Sequence, residues 1–484
     1  MTGPTDPILQ PRSLAEHAFS RAAGAPLVGG NALRLLRDGT ENYAAWLDAI
    51  RAAKHAIYFE NYIIRADATG RSFRDALAAR AAAGVKVRLL LDWFGSFTTP
   101  RSFWEPLINA GGTVCYFNAP VLHGDLSWLS RDHRKSITVD GEIGFISGVC
   151  VSDVWLGDAN RGIEPYRDTG VEIRGPAVAD LVRAFAQIWA QNGRAIPKEE
   201  LAALPVPKQA GGIAVRIVAT APNVSALYRL DLLIASLARQ RLWITDAYFA
   251  GTPSYVHALS SAARDGVDVR LLVPGGSDLP WLRPLTTAGY RPLLDAGVRV
   301  FEWNGSMLHA KTAVADDRWS RVGSTNLNMA SWLTNFEMDV AVDDEGFARE
   351  MAAMYERDLG HATEIVLKKR RRVRVPVQED ACKRSKPARG SLVRATAGAL
   401  RFTRSVSAAM SGQRVVDTGD TFTLLIAAAV VLALAALAIF FPRVVAWTAA
   451  TVAILSGLLL LFRAMSPRAR RERGRKKTPP AAGS

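Results

Sequence analysis

The sequence predicts an α/β protein made of two copies of one unit, each a mainly parallel sheet covered by helices, related by a pseudo-twofold axis. Three observations predict it. The pattern H-x-K-x-x-x-x-D occurs twice, as His133, Lys135, Asp140 and as His309, Lys311, Asp316. With seven His in the chain, about 0.01 copies are expected by chance, so two copies are signal. The flanks of the two copies repeat as well, and helix-length segments separate short apolar runs, the arrangement of βαβ units.

Along the first half, the apolar, aromatic-rich run Ala56–Ile64 reads as a strand. A helical stretch follows and stops at Gly84, and Val85–Leu91 reads as the next buried strand. Residues 110–114 (Ala-Gly-Gly-Thr-Val) give a second helix stop and strand before the first motif. In the second half Leu242–Phe249 matches the first run, Asp265-Gly266 and Val267–Val273 match the second, and residues 295–300 (Asp-Ala-Gly-Val-Arg-Val) match the third. Ile137–Val139 and Thr312–Ala315 read as strands that leave each motif's His and Lys at one edge of a sheet. Residues two apart on a strand face the same side, so His133 pairs with Lys135 and His309 with Lys311.

Packing the halves together brings two imidazoles and two ammonium groups to one place. Two Lys with nearby Ser or Asn donors can hold a phosphodiester and neutralise the charge that builds up in its transition state. One His then attacks phosphorus while the other protonates the leaving alkoxide and afterwards activates the acceptor. Such chemistry requires no metal or cofactor. Cys115, Cys150 and Cys382 show neither metal spacing nor a pairing pattern.

The chain resembles the phospholipase D superfamily, and within it the bacterial cardiolipin synthases. The resemblance covers roughly residues 40–365. It rests on both motifs, on Arg131, on Asp168-Thr169-Gly170-Val171 leading to Gly175-Pro176-Ala177-Val178, and on Phe185 with Trp189. It implies a phosphohistidine intermediate, with His133 as nucleophile and His309 as general acid/base; the reverse assignment stays open. Lys135, Lys311 and Asn326 are implied to bind phosphate, with Ser147, Gly148 and Ser324 shaping the floor of the pocket. Asp168 and Glu337 resemble the carboxylates that orient the two imidazoles. Asp140 and Asp316 complete the catalytic motifs but look more structural than catalytic. Cys150 stands where the second half has Asn326, so the first half lacks that amide donor.

Toward the C-terminus, Thr421–Phe441 and Val444–Phe462 carry no charge, and each approaches the roughly 20 residues needed to cross a bilayer. They read as a transmembrane hairpin over residues 421–462. The formal net charge of +15 is unevenly spread. Residues 363–414 hold about +11, residues 415–462 about −1 and residues 463–484 about +7, which leaves about −2 for residues 1–362. A nuclease is expected to carry its basic residues around its groove. Here they bracket the apolar segments, as the positive-inside rule and attraction to anionic lipid predict.

The expected organisation is an N-terminal arm over residues 1–24, phospholipase D-like lobes over 25–201 and 213–365, a basic tether over 366–420, the hairpin, and a basic tail over 463–484. The resemblance and the charge pattern together imply a multi-pass protein of the bacterial cytoplasmic membrane with its catalytic body facing the cytoplasm. Its partners are then phospholipid, phosphatidylglycerol above all, and an anionic membrane, with no nucleic acid. The implied reaction forms cardiolipin from two phosphatidylglycerol molecules; a hydrolase releasing phosphatidic acid differs only in using water as acceptor.

Overall fold

Among the described residues, eleven Gly and four Asp adopt the positive φ that most side chains avoid, most of them at turns and element ends. The computed structural model describes residues 11–119, 130–193, 195–276 and 283–366. The C-terminal segments 421–441 and 444–462 lie outside these. Among the described residues no helix is long and apolar enough to cross a membrane.

In the first half, β1 (Val28–Arg37) and α2 (Asp38–Ala52), preceded by α1 (Pro11–Ala23), lead into β2 (Ala56–Asn61), α3 (Ala68–Ala82), β3 (Lys86–Asp92), α4 (Glu105–Asn109) and β4 (Thr113–Phe117). Then follow β5 (Ser136–Val139), β6 (Ile143–Ser147), β7 (Thr169–Arg174), α5 (Val178–Gln191) and α6 (Lys198–Ala202). The second half repeats this order: β8 (Ile213–Thr220), α7 (Ala226–Leu237), β9 (Arg241–Thr245), α8 (Pro253–Arg264), β10 (Asp268–Pro274), α9 (Arg283–Asp295) and β11 (Arg299–Trp303). It continues with β12 (Thr312–Ala315), β13 (Trp319–Gly323), α10 (Met329–Leu333), β14 (Glu337–Asp343), α11 (Glu345–Leu359) and β15 (Ala362–Ile365).

The fifteen strands of the described residues join in one sheet, ordered β15-β11-β10-β9-β12-β13-β14-β8-β1-β7-β6-β5-β2-β3-β4. The antiparallel pair β1 and β8 lies at the centre, and strand order runs outward from it identically in both halves until β15 is added to β11. This is the repeat that the sequence shows, now expressed as topology.

The expectation of a mainly parallel sheet is overturned, because the sheet is mixed and largely antiparallel. Only β2 with β3, β3 with β4, β9 with β10 and β10 with β11 pair in parallel. Helices α3 and α8 supply the long crossovers that parallel neighbours need, whereas the motif strands turn back within three residues. Asp140 and Gly141 have φ of 55° and 68°, and Asp316 and Asp317 have 48° and 57°, the left-handed pair that a tight hairpin with the right twist demands. β5 and β12 are consequently interior strands, flanked by β2 and β6 and by β9 and β13. Each motif's His and Lys lie at the end of an interior strand, not at a sheet edge.

The motif aspartates fasten these hairpins. Asp140 accepts hydrogen bonds from the backbone N–H groups of Lys54, His55 and Ala56 at 2.8, 2.7 and 2.9 Å. Asp316 accepts from those of Arg239, Gln240 and Arg241 at 2.7, 2.8 and 3.0 Å. Each therefore ties the start of β2 or β9 to the end of β5 or β12, at the end of the strand away from the imidazole. Gly84 and Gly266, with φ of 90° and 93°, end α3 and α8 in the left-handed conformation before β3 and β10.

One face of the first half is covered by α2 and α3 over Trp46, Phe59, Phe73 and Leu89. The corresponding face of the second half is covered by α7 and α8 over Leu230, Leu259 and Leu271. A third cluster crosses the centre: Val178 and Leu181 of α5 and Phe347, Met351 and Tyr355 of α11 pack with Val171, Val215 and Val340. The halves thus share a core beneath the β1–β8 seam.

Replacing Asp140 by Ala removes the acceptor for three N–H groups and a residue tolerant of positive φ. The expected loss is about 2–3 kcal/mol of stability, read as a lowered midpoint in chemical denaturation, with Asp316→Ala behaving alike.

Candidate active site

The site is built where the sheet's two halves meet through short backbone bridges rather than through strands. The His133 N–H donates to the Phe336 carbonyl at 2.9 Å, and the Phe336 N–H to that of Arg131 at 2.8 Å. The equivalent bridge joins His309 N–H to the Arg167 carbonyl at 2.7 Å and Arg167 N–H to that of Met307 at 2.9 Å. Each motif histidine is thereby set beside the start of β14 or β7 of the other half.

The consequence is a crosswise pairing. Nδ1 of His133 lies 3.0 and 2.9 Å from the two carboxylate oxygens of Glu337, in the second half. Nδ1 of His309 lies 2.7 Å from Oδ2 of Asp168, in the first. Both imidazoles are nearly buried, at 9% and 6% exposure, and both carboxylates fully so. A carboxylate at Nδ1 selects the tautomer whose Nε2 carries a lone pair.

The carboxylates are themselves held in place. Glu337 accepts from the Ser324 hydroxyl at 2.6 Å. Asp168 accepts from the Trp155 indole N–H at 3.0 Å and the Thr169 N–H at 2.8 Å. Gly148, the counterpart of Ser324, leaves room for Asp168: a Cβ there would stand 2.2 Å from the carboxylate oxygen. Gly148 and Ser324 thus act on the orienting carboxylates. The Ser147 hydroxyl accepts from the Val149 N–H at 3.1 Å, shaping the loop behind.

Lys135 and Lys311 are buried beside the imidazoles, and each donates to the carbonyl of the histidine two residues before it. Lys311 Nζ also lies 3.0 Å from Nδ1 of His309. Burial, aided by the positive charge of Lys135, brings Lys311 down to about 8 against the pull of Asp168. Burial likewise lowers His133 to about 4; Glu337 opposes this, and Lys135 and Lys311 reinforce it. Burial and Lys311 lower His309 too, against Asp168. Burial alone raises Asp168, yet His309 and Lys311 outweigh it and hold the carboxyl at about 2. Glu337 is also held below the usual range, its burial outweighed by His133 and Lys135. Each histidine feels the lysines of both halves, which makes this one site.

Asn326 is buried, and its side-chain oxygen has no hydrogen-bond partner among the described residues. In the matching place Cys150 is a buried thiol whose pKa is raised by burial. Asp140 and Asp316 are the motif residues that the structure does not bring to the imidazoles.

Sequence reasoning missed several participants. Tyr62 packs edge-on against His133 with ring centroids 4.8 Å apart, and Tyr248 and Trp155 against His309 at 6.0 and 5.5 Å. Both tyrosines end the repeated apolar runs, a signal available in the sequence; Trp155 has no counterpart in the second half. Arg134 reaches across the seam to the carbonyls of Glu337 and Thr220 at 3.2 and 2.8 Å. Arg167 does so by pairing with Asp358 of α11 at 2.9 and 2.8 Å.

Comparison with known proteins gives the family. A family profile described as "Cardiolipin synthase, PLD-like domain" matches residues 233–359. Cardiolipin synthase A of Pseudomonas aeruginosa is 35% identical over 364 residues, 74% of this chain and 73% of its own. Cardiolipin synthase of Alkalihalophilus pseudofirmus is 32% identical over 347 residues, 70% of this chain and 68% of its own. Among solved structures, phosphatidylserine synthase of Haemophilus influenzae is similar over 73% of this chain and 92% of that chain, with a TM-score of 0.57 at 15% identity, a likeness of fold.

Titration of the imidazoles by NMR checks the electrostatics. His133 is expected to remain neutral down to about pH 4. Glu337→Gln removes the charge that favours the imidazolium, so the midpoint should fall further; a parent midpoint near the ordinary value for histidine, or no fall in the variant, contradicts this environment.

Proposed function

The chain belongs to the cardiolipin synthase family of the phospholipase D superfamily, and from that premise we propose that it condenses two phosphatidylglycerol molecules into cardiolipin and glycerol through a phosphohistidine. It is a phosphatidyltransferase of the phospholipase D type; donor, acceptor, intermediate and anchoring are our reading. The observation that carries it is the pair of imidazoles, each held by a carboxylate of the opposite half and flanked by two buried lysines.

In this mechanism Nε2 of His133 attacks the phosphorus of one phosphatidylglycerol. The bond from phosphorus to the glycerol oxygen breaks, and His309 gives its proton to that oxygen as glycerol leaves. The phosphatidyl group is then carried by His133. His309, now neutral, takes the proton from a glycerol hydroxyl of a second phosphatidylglycerol, whose oxygen attacks phosphorus, breaks the phosphorus–nitrogen bond and restores His133.

Burial and Lys311 keep His309 neutral in the free site. A bound phosphodiester anion offsets the lysine charge and favours the imidazolium that the first step needs. Lys135 and Lys311 stabilise the extra negative charge of the transition state in a water-poor site, with the Asn326 amide as a further phosphate contact. Glu337 and Asp168 maintain tautomer and orientation. We place Thr421–Phe441 and Val444–Phe462 in the membrane, with the basic segments on either side against anionic headgroups.

The test is product analysis by mass spectrometry after incubating full-length protein with phosphatidylglycerol vesicles. Cardiolipin with glycerol is expected, and His133→Ala and His309→Ala should each lower the rate by roughly 10²–10⁴ or more. Phosphatidic acid as the sole product assigns water as acceptor and overturns the transferase step.

A pH profile tests the lysine. Because Lys311 sits at about 8, kcat/KM should fall as pH rises through that value and the ammonium is lost. In Lys311→Arg, whose guanidinium stays charged, the residual rate should lack this alkaline limb.

A further inference from the structure

The loops that follow β3 and β6 at the site end of the sheet carry an apolar surface that the catalytic cycle does not use. After β3, Phe94 and Phe97 are 54% and 64% exposed, and their rings stack on each other at 6.0 Å with 29° between planes. No other aromatic residue is among the large hydrophobic side chains exposed in the described residues. After β6, Leu156 and Ile163 are exposed as well, on a loop closed by backbone hydrogen bonds between Asp158 and Ile163. The same loop supplies Trp155 to Asp168.

The aromatic pair is built into the approach to His133. Asp92, the last residue of β3, accepts from the Gly95 N–H at 2.9 Å and from the Asp132 N–H at 2.9 Å. Gly95 packs so tightly on Tyr62 that a Cβ would stand 2.2 Å from the Tyr62 carbonyl oxygen, and the Tyr62 ring lies on His133. The Arg131 guanidinium, largely buried and 3.7 Å from a carboxylate oxygen of Asp92, sits 5.4 Å from the centre of the Phe94 ring. A cation beneath an exposed aromatic ring suits the boundary between acyl chains and anionic headgroups, where aromatic rings and basic side chains settle together.

We propose that this end of the sheet docks on a phosphatidylglycerol-containing bilayer, with Phe94 and Phe97 inserted among the acyl chains and Arg131 at headgroup level, so that a lipid phosphate passes from the membrane surface to His133. This rests on the reading of the site as one for phospholipids. Stacked rings that cost little to bury in lipid, yet are rigidly fixed to the strand end beside a nucleophile, deliver a substrate whose tails never leave the bilayer.

Two measurements on the full-length protein in phosphatidylglycerol vesicles test it. In the first, a photoreactive p-benzoylphenylalanine replaces Phe97, or, as control, Ile108, which is 50% exposed on α4 before the opposite end of β4. Lipid adducts are expected at position 97 and at most traces at position 108; equal labelling, or none at 97, overturns the proposal whatever the enzyme's products are. In the second, the double variant Phe94→Ser with Phe97→Ser should raise the vesicle-lipid concentration for half-maximal rate by about tenfold or more. Turnover of a monomeric short-chain phosphatidylglycerol should stay within about twofold of the parent, since no acyl chain has to be drawn from a bilayer. Equal losses on both substrates assign the pair a structural role and overturn the docking surface. If neither protein converts either substrate, the catalytic reading fails, and the adduct pattern still decides the surface.

Discussion

The hydrogen bond from each imidazole to a carboxylate of the other half is the constraint on which the rest depends. It does not form within one half, because Glu337 opens β14 and Asp168 immediately precedes β7, and the bridges at Phe336 and Arg167 aim both at the opposite motif. Neither half alone has an oriented histidine. The central β1–β8 pair, the shared core of α5 and α11, and the buried Arg167 pairing with Asp358 all hold the halves at the separation this exchange requires.

Charge explains why so polar a centre survives burial. Two carboxylates and two lysines are interleaved about two neutral imidazoles, so each ion has an opposite neighbour, and the remaining polar atoms are largely met by Ser324, Trp155 and backbone groups. The symmetry is imperfect where it meets the carboxylates. The longer Glu337 is braced by a serine, whereas the shorter Asp168 fits over a glycine and leans on an indole. Cys150 against Asn326 extends that asymmetry. Such differences give two histidines of common ancestry unlike environments, the prerequisite for unlike roles.

Much of this was legible in the sequence because duplication makes a pattern count twice. The repeated strands and helix stops recur in the fold, and the two His and Lys pairs and the carboxylates at 168 and 337 lie together in it. The direction of the sheet differs from the expectation because Asp140-Gly141 between two apolar runs forms a hairpin, a local signal that competes with the βαβ pattern of the flanking segments. The same turn explains why the motif ends in Asp, a residue that tolerates the left-handed conformation and whose carboxylate gathers three N–H groups. The crosswise exchange has no local signature, since it depends on backbone pairing between segments such as 167 and 308 that are far apart in sequence. Trp155 had no repeat to betray it, and the edge strand β15 is too short and polar to announce itself.

The exchange itself is open to direct observation. Imidazole protons held by buried carboxylates give separate low-field NMR signals, assignable by their loss in His133→Ala and His309→Ala. Asp168→Asn is predicted to abolish or move the His309 signal and leave that of His133 in place. Loss of the His133 signal instead means that each half orients its own histidine, and the crosswise account is then wrong.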